Sequence, residues 1–266
     1  MTPLWIALQF LTRLPVRLAG MPTPEQMGRS LLFYPAVGVV IGGFLLVAIH
    51  LLDGAPVPLQ AALLLTLWVG LTGALHLDGL ADSADAWMGG FGDRERTLAI
   101  MKDPRSGPIA VVVLVLLLLL KFTALLALLE QGDHLVLLLA PVLGRGALLA
   151  LFLYTPYVRP GGLGDALKAH LPRFSATVAL AVTTLFGLLL GGFWVMVAVA
   201  GVFLWLRRMM LQRLGGTTGD TAGALLELIE CAVLLAAALQ VSWPCPRLFA
   251  GMARSHNGSV MSASAS

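Results

Sequence analysis

Residues 76–85 read His-Leu-Asp-Gly-Leu-Ala-Asp-Ser-Ala-Asp, which sets carboxylates at i, i+4 and i+7 directly after a long apolar stretch. At about 100° per residue, Asp78, Asp82 and Asp85 fall within a helical stripe about 60° wide. Carboxylates crowded on one face repel unless a cation sits among them, and oxygen-only donors suit Mg²⁺ or Mn²⁺ better than zinc. The spacing predicts a metal site formed by Asp78, Asp82 and Asp85. The plainer alternative is a solvated polar helix end.

Further charged groups extend the pattern. Met101-Lys102-Asp103-Pro104-Arg105-Ser106-Gly107-Pro108 is turn-rich, and Lys102 and Arg105 could neutralise phosphate oxygens, the arginine in bidentate fashion. The same stretch could equally serve as a stop signal fixing topology. Near the end of the chain, Gly215-Gly216-Thr217-Thr218-Gly219-Asp220-Thr221 leads to Gly223, Glu227 and Glu230. Asp220 and Glu227 are seven apart and share a helix face, while Glu227 and Glu230 lie inside an apolar segment, where an ionisable group is a functional candidate. Arg145, between Gly144 and Gly146, calls for a carboxylate or a phosphate as partner. Arg159 belongs to the Pro156–Gly164 segment, which reads as an ordered loop able to rim a cavity. Lys121 has no partner evident in the sequence. His76 lies on a different face from Asp78 and, as a lone histidine, reads as structural.

The elements that must position these residues follow from composition. With 58% hydrophobic and 12% charged residues and a mean hydropathy of +0.90, the chain cannot be a soluble domain, which would carry about 25% charged residues. The expected fold class is all-α, a polytopic membrane protein with spans at 31–52, 59–77, 108–129, 135–153, 176–190, 193–210 and 221–240. A single long tilted helix over 176–206 is the rival to the fifth and sixth spans. Basic residues cluster at Arg13, Arg17 and Arg29, at Arg94, Arg96, Lys102 and Arg105, at Arg159, Lys168 and Arg173, and at Arg207, Arg208 and Arg213. The connections 53–58, 130–134 and 191–192 contain none. By the positive-inside rule, seven spans put the N-terminus in the cytoplasm and the aspartates at the cytoplasmic face. Residues 1–18 form a short amphipathic surface helix, 1–243 a single catalytic membrane domain, and 244–266 a disordered tail. The two cysteines suggest neither a disulfide nor a thiolate metal site.

Three strings, His76–Asp85, Ile100–Gly107 and Gly219–Glu227, resemble the cobalamin synthase family, also called adenosylcobinamide-GDP ribazoletransferases. Gln9-Phe-Leu-Thr-Arg-Leu-Pro15 and Phe33-Tyr-Pro-Ala-Val-Gly38 are similar too, so the likeness runs from residue 5 to about 230. The resemblance implies a Mg²⁺-requiring enzyme of the bacterial inner membrane. In the implied reaction a hydroxyl of α-ribazole, or of its 5′-phosphate, attacks the cobinamide-side phosphorus of adenosylcobinamide-GDP and expels GMP. It makes Asp78, Asp82 and Asp85 the Mg²⁺ ligands, puts Lys102, Asp103 and Arg105 around the diphosphate, and gives Asp220 and Glu227 the completion of the metal site or the role of base. The base stays open among Asp85, Asp220 and Glu227. Arg145 and Arg159 join the substrate-binding candidates. Pro104 and Pro108 depart from the family pattern and stiffen the loop.

Two other readings compete. A CDP-alcohol phosphotransferase would also use aspartates on membrane helices, but its Ala-Arg after the first Asp-Gly block and its later GxxxDxxxD are missing. A divalent-cation transporter would hold its ion near the midplane, away from Lys and Arg. The expected partners are the two substrates and the lipid bilayer, with no nucleic acid; an oligomer is compatible with the sequence.

Overall fold

A computed structural model describes residues 2–18 and 20–241. The tail expected to be disordered, 244–266, lies outside the described residues. Within them the fold is all-α. In chain order the helices are α1 (Thr2–Leu11), α2 (Pro24–Ser30), α3 (Tyr34–Leu51), α4 (Val57–Thr72), α5 (Leu75–Gly89), α6 (Arg94–Ile100), α7 (Pro108–Glu130), α8 (Val136–Tyr154), α9 (Leu163–Ala169), α10 (Arg173–Leu214) and α11 (Gly219–Val241). By length and composition five segments can cross a membrane, α2 and α3 counting as one, or six when α4 and α5 are joined.

The α4–α5 pair differs from expectation. The apolar run predicts one span over 59–77, yet Gly73 and Ala74 both adopt left-handed backbone and α5 leaves α4 at 87°. Glycine accepts that conformation freely and alanine does so at a cost, so the bend is a built feature. The aspartates therefore sit on a helix of their own, packed on α7 and α11, and not at the end of a span.

The rivalry over 176–206 ends in a hairpin. α10 is one helical run of 42 residues, broken at Gly192, whose φ of 76° and ψ of −178° suit glycine alone. Contacts with α8 give the direction of each half. Thr183 lies beside Gly146, Leu143 beside Gly187 and Leu139 beside Gly191, while Arg207 bonds to Tyr154 and Thr155. Both halves thus run from the Leu139 end of α8 toward its Thr155 end, away from Gly192.

α8 is the hub, buried on nearly every face, and α3, α10 and α11 pack around it. α3 approaches closest because Gly38 and Gly42 form a small-xxx-small stripe. A Cβ added at Gly42 would stand 2.6 Å from the Leu138 Cα, whereas one at Gly43 would meet nothing within 4 Å. Gly42→Val should consequently lower stability by about 1–3 kcal/mol or more, since the clash is with backbone. Gly43→Val should leave the thermal midpoint of the detergent-solubilised protein near wild type. Equal midpoints for the two variants would show that the α3–α8 contact is looser than described.

Candidate active site

Asp78 occupies the first turn of α5 and Asp220 the first turn of α11. They come together because glycines let the helices touch: a Cβ at Gly79 would lie 2.8 Å from the Asp220 carbonyl oxygen, and one at Gly223 would lie 3.2 Å from that of His76. The segment after α8 is drawn in by the bridge between Tyr157 and Thr217, with Val158 N–H donating to the Thr217 carbonyl and Thr217 N–H to that of Pro156. This brings Arg159 over Asp220, with Nη2 2.9 Å from Oδ2. Asp78, Arg159 and Asp220 form the charged rim of a cavity of about 280 Å³. Its buried walls include Tyr34, His76, Leu148 and Phe152.

The other carboxylates of α5 divide their tasks. Asp82, half-buried, is within electrostatic reach of Asp78, Asp85 and Asp220 and of Arg159. Neither Asp78 nor Asp82 accepts a hydrogen bond among the described residues. Asp85 is different: it receives the Gly107 and Ala110 N–H groups at 2.5 and 3.0 Å, and so holds the N-terminus of α7.

No three His, Cys, Asp or Glu side chains among the described residues form a closed metal cage. Mg²⁺ does not require one, since it keeps several waters and binds through one or two carboxylates plus substrate phosphates. The unpartnered Asp78 and Asp82, with Asp220 near, fit that mode of binding. Asp82, with three other carboxylates and a single guanidinium in reach, is also in surroundings short of positive charge.

Lys102, Asp103 and Arg105 lie in the connection before α7, outside the cavity wall. Arg105 is exposed and grips Asp103 through Nε and Nη2, at 3.0 and 2.8 Å. Its guanidinium holds the Asp103 carboxyl down at about 2.

Arg145 and Glu227, expected at the substrate and the metal, are placed elsewhere. Arg145 is fully buried and pairs with Glu230; Lys121 Nζ lies 2.6 Å from Glu227 and 2.7 Å from Glu230. The reason is electrostatic, because an intramembrane charge is stable only beside its opposite, and two cations meet two acids here. Lys121, unexplained in the sequence, also stands 5.0 Å from the Trp68 ring centroid. Its signal was the balance of charge: one cation in each of two apolar segments and two acids in a third. Tyr34 and His76 were missed as cavity residues. An aromatic beside a proline and a lone histidine carry no spacing that reveals a shared wall.

An all-α fold with helices long and apolar enough to cross a membrane, gathering carboxylates and an arginine at the rim of a cavity, defines a class, multi-pass membrane proteins with a charged candidate site. The particular family follows from comparison: the cobalamin-5-phosphate synthase family model matches residues 3–238, and the chain belongs to that family. It is 69% identical over 242 residues to the adenosylcobinamide-GDP ribazoletransferase of Pseudomonas putida (strain W619), covering 90% of this chain and 99% of that protein. It is 68% identical over 244 residues to the enzyme of that name from Pseudomonas entomophila (strain L48), covering 91% and 100%. The Stutzerimonas stutzeri (strain A1501) enzyme of that name is 68% identical over 243 residues, covering 91% and 99%. No solved structure matches the chain.

The geometry separates two kinds of variant. Glu230→Gln leaves Lys121 and Arg145 short of a counter-charge and should cost about 3–5 kcal/mol, read as a fall in the thermal midpoint. Asp78→Asn, at an exposed and unpartnered position, should leave that midpoint unchanged. A Glu230→Gln protein that melts like wild type would remove the structural role from the buried network.

Proposed function

We propose that this protein transfers the adenosylcobinamide-phosphate group of adenosylcobinamide-GDP to α-ribazole or its 5′-phosphate, releasing GMP, the closing step of cobalamin assembly. The observation that carries the site assignment is the convergence of Asp78 and Asp220 with Arg159 at the cavity rim. The ribazole hydroxyl oxygen forms a new bond to the cobinamide-side phosphorus. The bond from that phosphorus to the bridging oxygen breaks, and GMP leaves with the electron pair.

Asp220 is the best-placed acceptor for the hydroxyl proton. It lines the cavity, whereas neither Asp85 nor Glu227 does. Arg159 holds the Asp220 carboxylate in place and adds positive charge where the transferring phosphoryl group gains negative charge. Arg105 exchanges Asp103 for a phosphate oxygen when the diphosphate binds, with Lys102 beside it. Asp78 and Asp82 would hold Mg²⁺, which would supply positive charge to offset that of the phosphates.

The site faces the cytoplasm across a bacterial inner membrane, a reading supported by the basic residues of the connections next to it. Cysteines placed singly at Gly132 and Ser106, on a background without Cys231 and Cys245, test that orientation. An impermeant thiol reagent outside whole cells should label position 132 and spare 106; the reverse pattern would invert the topology.

For the reaction, purified protein in lipid should release GMP from adenosylcobinamide-GDP only when α-ribazole and Mg²⁺ are both present. Asp78→Asn and Asp82→Asn should each cut turnover on the order of 100-fold and raise the Mg²⁺ requirement. The double variant should fall little further, because the two share one function. GMP release at full rate without ribazole would mark a hydrolase. Release of CMP from a CDP-alcohol with a lipid acceptor would favour a phospholipid synthase.

A further inference from the structure

The helix that carries the aspartates has a second face, and that face borders an apolar crevice. At about 100° per residue, Leu80, Ser83, Ala84, Trp87 and Met88 centre on the side of α5 opposite Asp78, Asp82 and Asp85. They form one wall of a cavity of about 430 Å³. The first turns of α7, with Ile109 and Val113, the last turns of α10, with Trp205 and Met209, and the α11 residues Ala224 and Leu228 supply the rest. No charged side chain lines it.

Position says what covers this crevice. α7 and α10 are both long and apolar enough to cross a membrane, and the cavity lies at the start of one and the end of the other, the level at which tryptophans such as Trp87 and Trp205 collect. The mouth is open. Met88, Ile109 and Trp205 are exposed, and the exposed apolar surface continues to Val112 on α7 and to Leu204 on α10. The crevice is thus continuous with surface that bilayer lipid covers. Water would find only the hydroxyls of Ser83 and Thr221 among the lining side chains, while an empty space would forfeit dispersion contacts along every wall. A flexible hydrocarbon chain meets both conditions.

Beyond the crevice α10 turns basic. Arg208, exposed, follows Trp205 by three residues, and Arg213 lies 5.7 Å from the Trp87 ring centroid while donating to the Trp87 carbonyl. Neither arginine pairs with a carboxylate among the described residues. Cations left without an acid at the end of an apolar slot suit an anionic headgroup. We propose that this crevice binds one acyl chain of an anionic phospholipid, with Arg208 meeting the headgroup phosphate. The chain packs against the back of the aspartate helix. Because α5 stands between it and Asp78, the lipid takes no part in the chemistry, and the assignment does not depend on the transferase reading.

The test places the full-length protein in phosphatidylcholine vesicles doped with a phosphatidylglycerol or a phosphatidylcholine probe, each carrying a diazirine in the middle of the same acyl chain. After irradiation, Ala84 and Trp87 should be labelled about fivefold more by the phosphatidylglycerol probe, the worth of one basic residue at an anionic surface. Arg208→Gln should bring the two probes level. Ala84→Phe puts a ring into the crevice and should abolish labelling at Trp87, while the exposed surface around Leu116 on α7 stays labelled by both probes. A second measurement needs no variant: the thermal midpoint of delipidated wild type in detergent should rise as phosphatidylglycerol is added, since a ligand of the folded state stabilises it by mass action. Labelling confined to the Leu116 surface would overturn the proposal. Equal labelling of Trp87 by the two probes in wild type would overturn it as well, leaving ordinary bilayer contact and no headgroup site.

Discussion

Four charges buried in the apolar interior hold this structure in register. Lys121 on α7, Arg145 on α8 and Glu227 and Glu230 on α11 are each at most 4% exposed, and none is stable there alone. Their mutual pairing fixes the rotation and depth of three helices relative to one another, because sliding any of them by a turn would strand a charge. The site depends on that registry. α11 carries Asp220 one to two turns before Glu227, and α7 begins at the loop that Asp85 anchors.

A second constraint is how closely backbones approach. Carboxylates repel, so helices bearing Asp78 and Asp220 would separate if side-chain contact were all that joined them. Gly79 and Gly223 remove the intervening Cβ atoms, and the α5–α11 contact becomes backbone on backbone. The glycine beside Asp78 therefore does mechanical work that its sequence neighbours do not reveal. Asp85 supplies the complementary tie, spending its charge on the two N–H groups at the start of α7. Repulsion among the acidic groups is thus balanced by packing and by helix-terminal hydrogen bonds, leaving Asp78 and Asp82 free.

Much of this was legible in the residues. Apolar runs of spanning length gave the all-α membrane fold, and α7, α8 and α11 match their expected bounds within a residue or two. The hairpin at Gly192 followed from two glycines and the placement of basic residues. The bend before α5 was not legible, since Gly73-Ala74, left-handed at both residues, looks like any small pair inside an apolar run. The acidic stripe on α5 marked the site, and Asp220 and Arg159 joined it through a glycine-rich approach and a proline-rich loop. Arg145 and Glu227 went astray because depth alone cannot tell a buried ion pair from a ligand contact; the partner's identity requires the three-dimensional neighbours.

The buried network also bears on what the protein does not resemble. A cation transporter needs uncompensated carboxylates within the membrane, where an ion can replace its water shell with protein oxygens. Here the two deep acids of α11 are matched by Lys121 and Arg145, so their attraction for a passing cation is already spent. The carboxylates without such partners lie instead on α5, Asp78 at the rim of the cavity with the arginine that meets Asp220. The guanidinium there is a fixed positive charge that can meet a phosphate. The division of charge, neutral in the interior and mixed at the rim, suits the phosphoryl transfer proposed above.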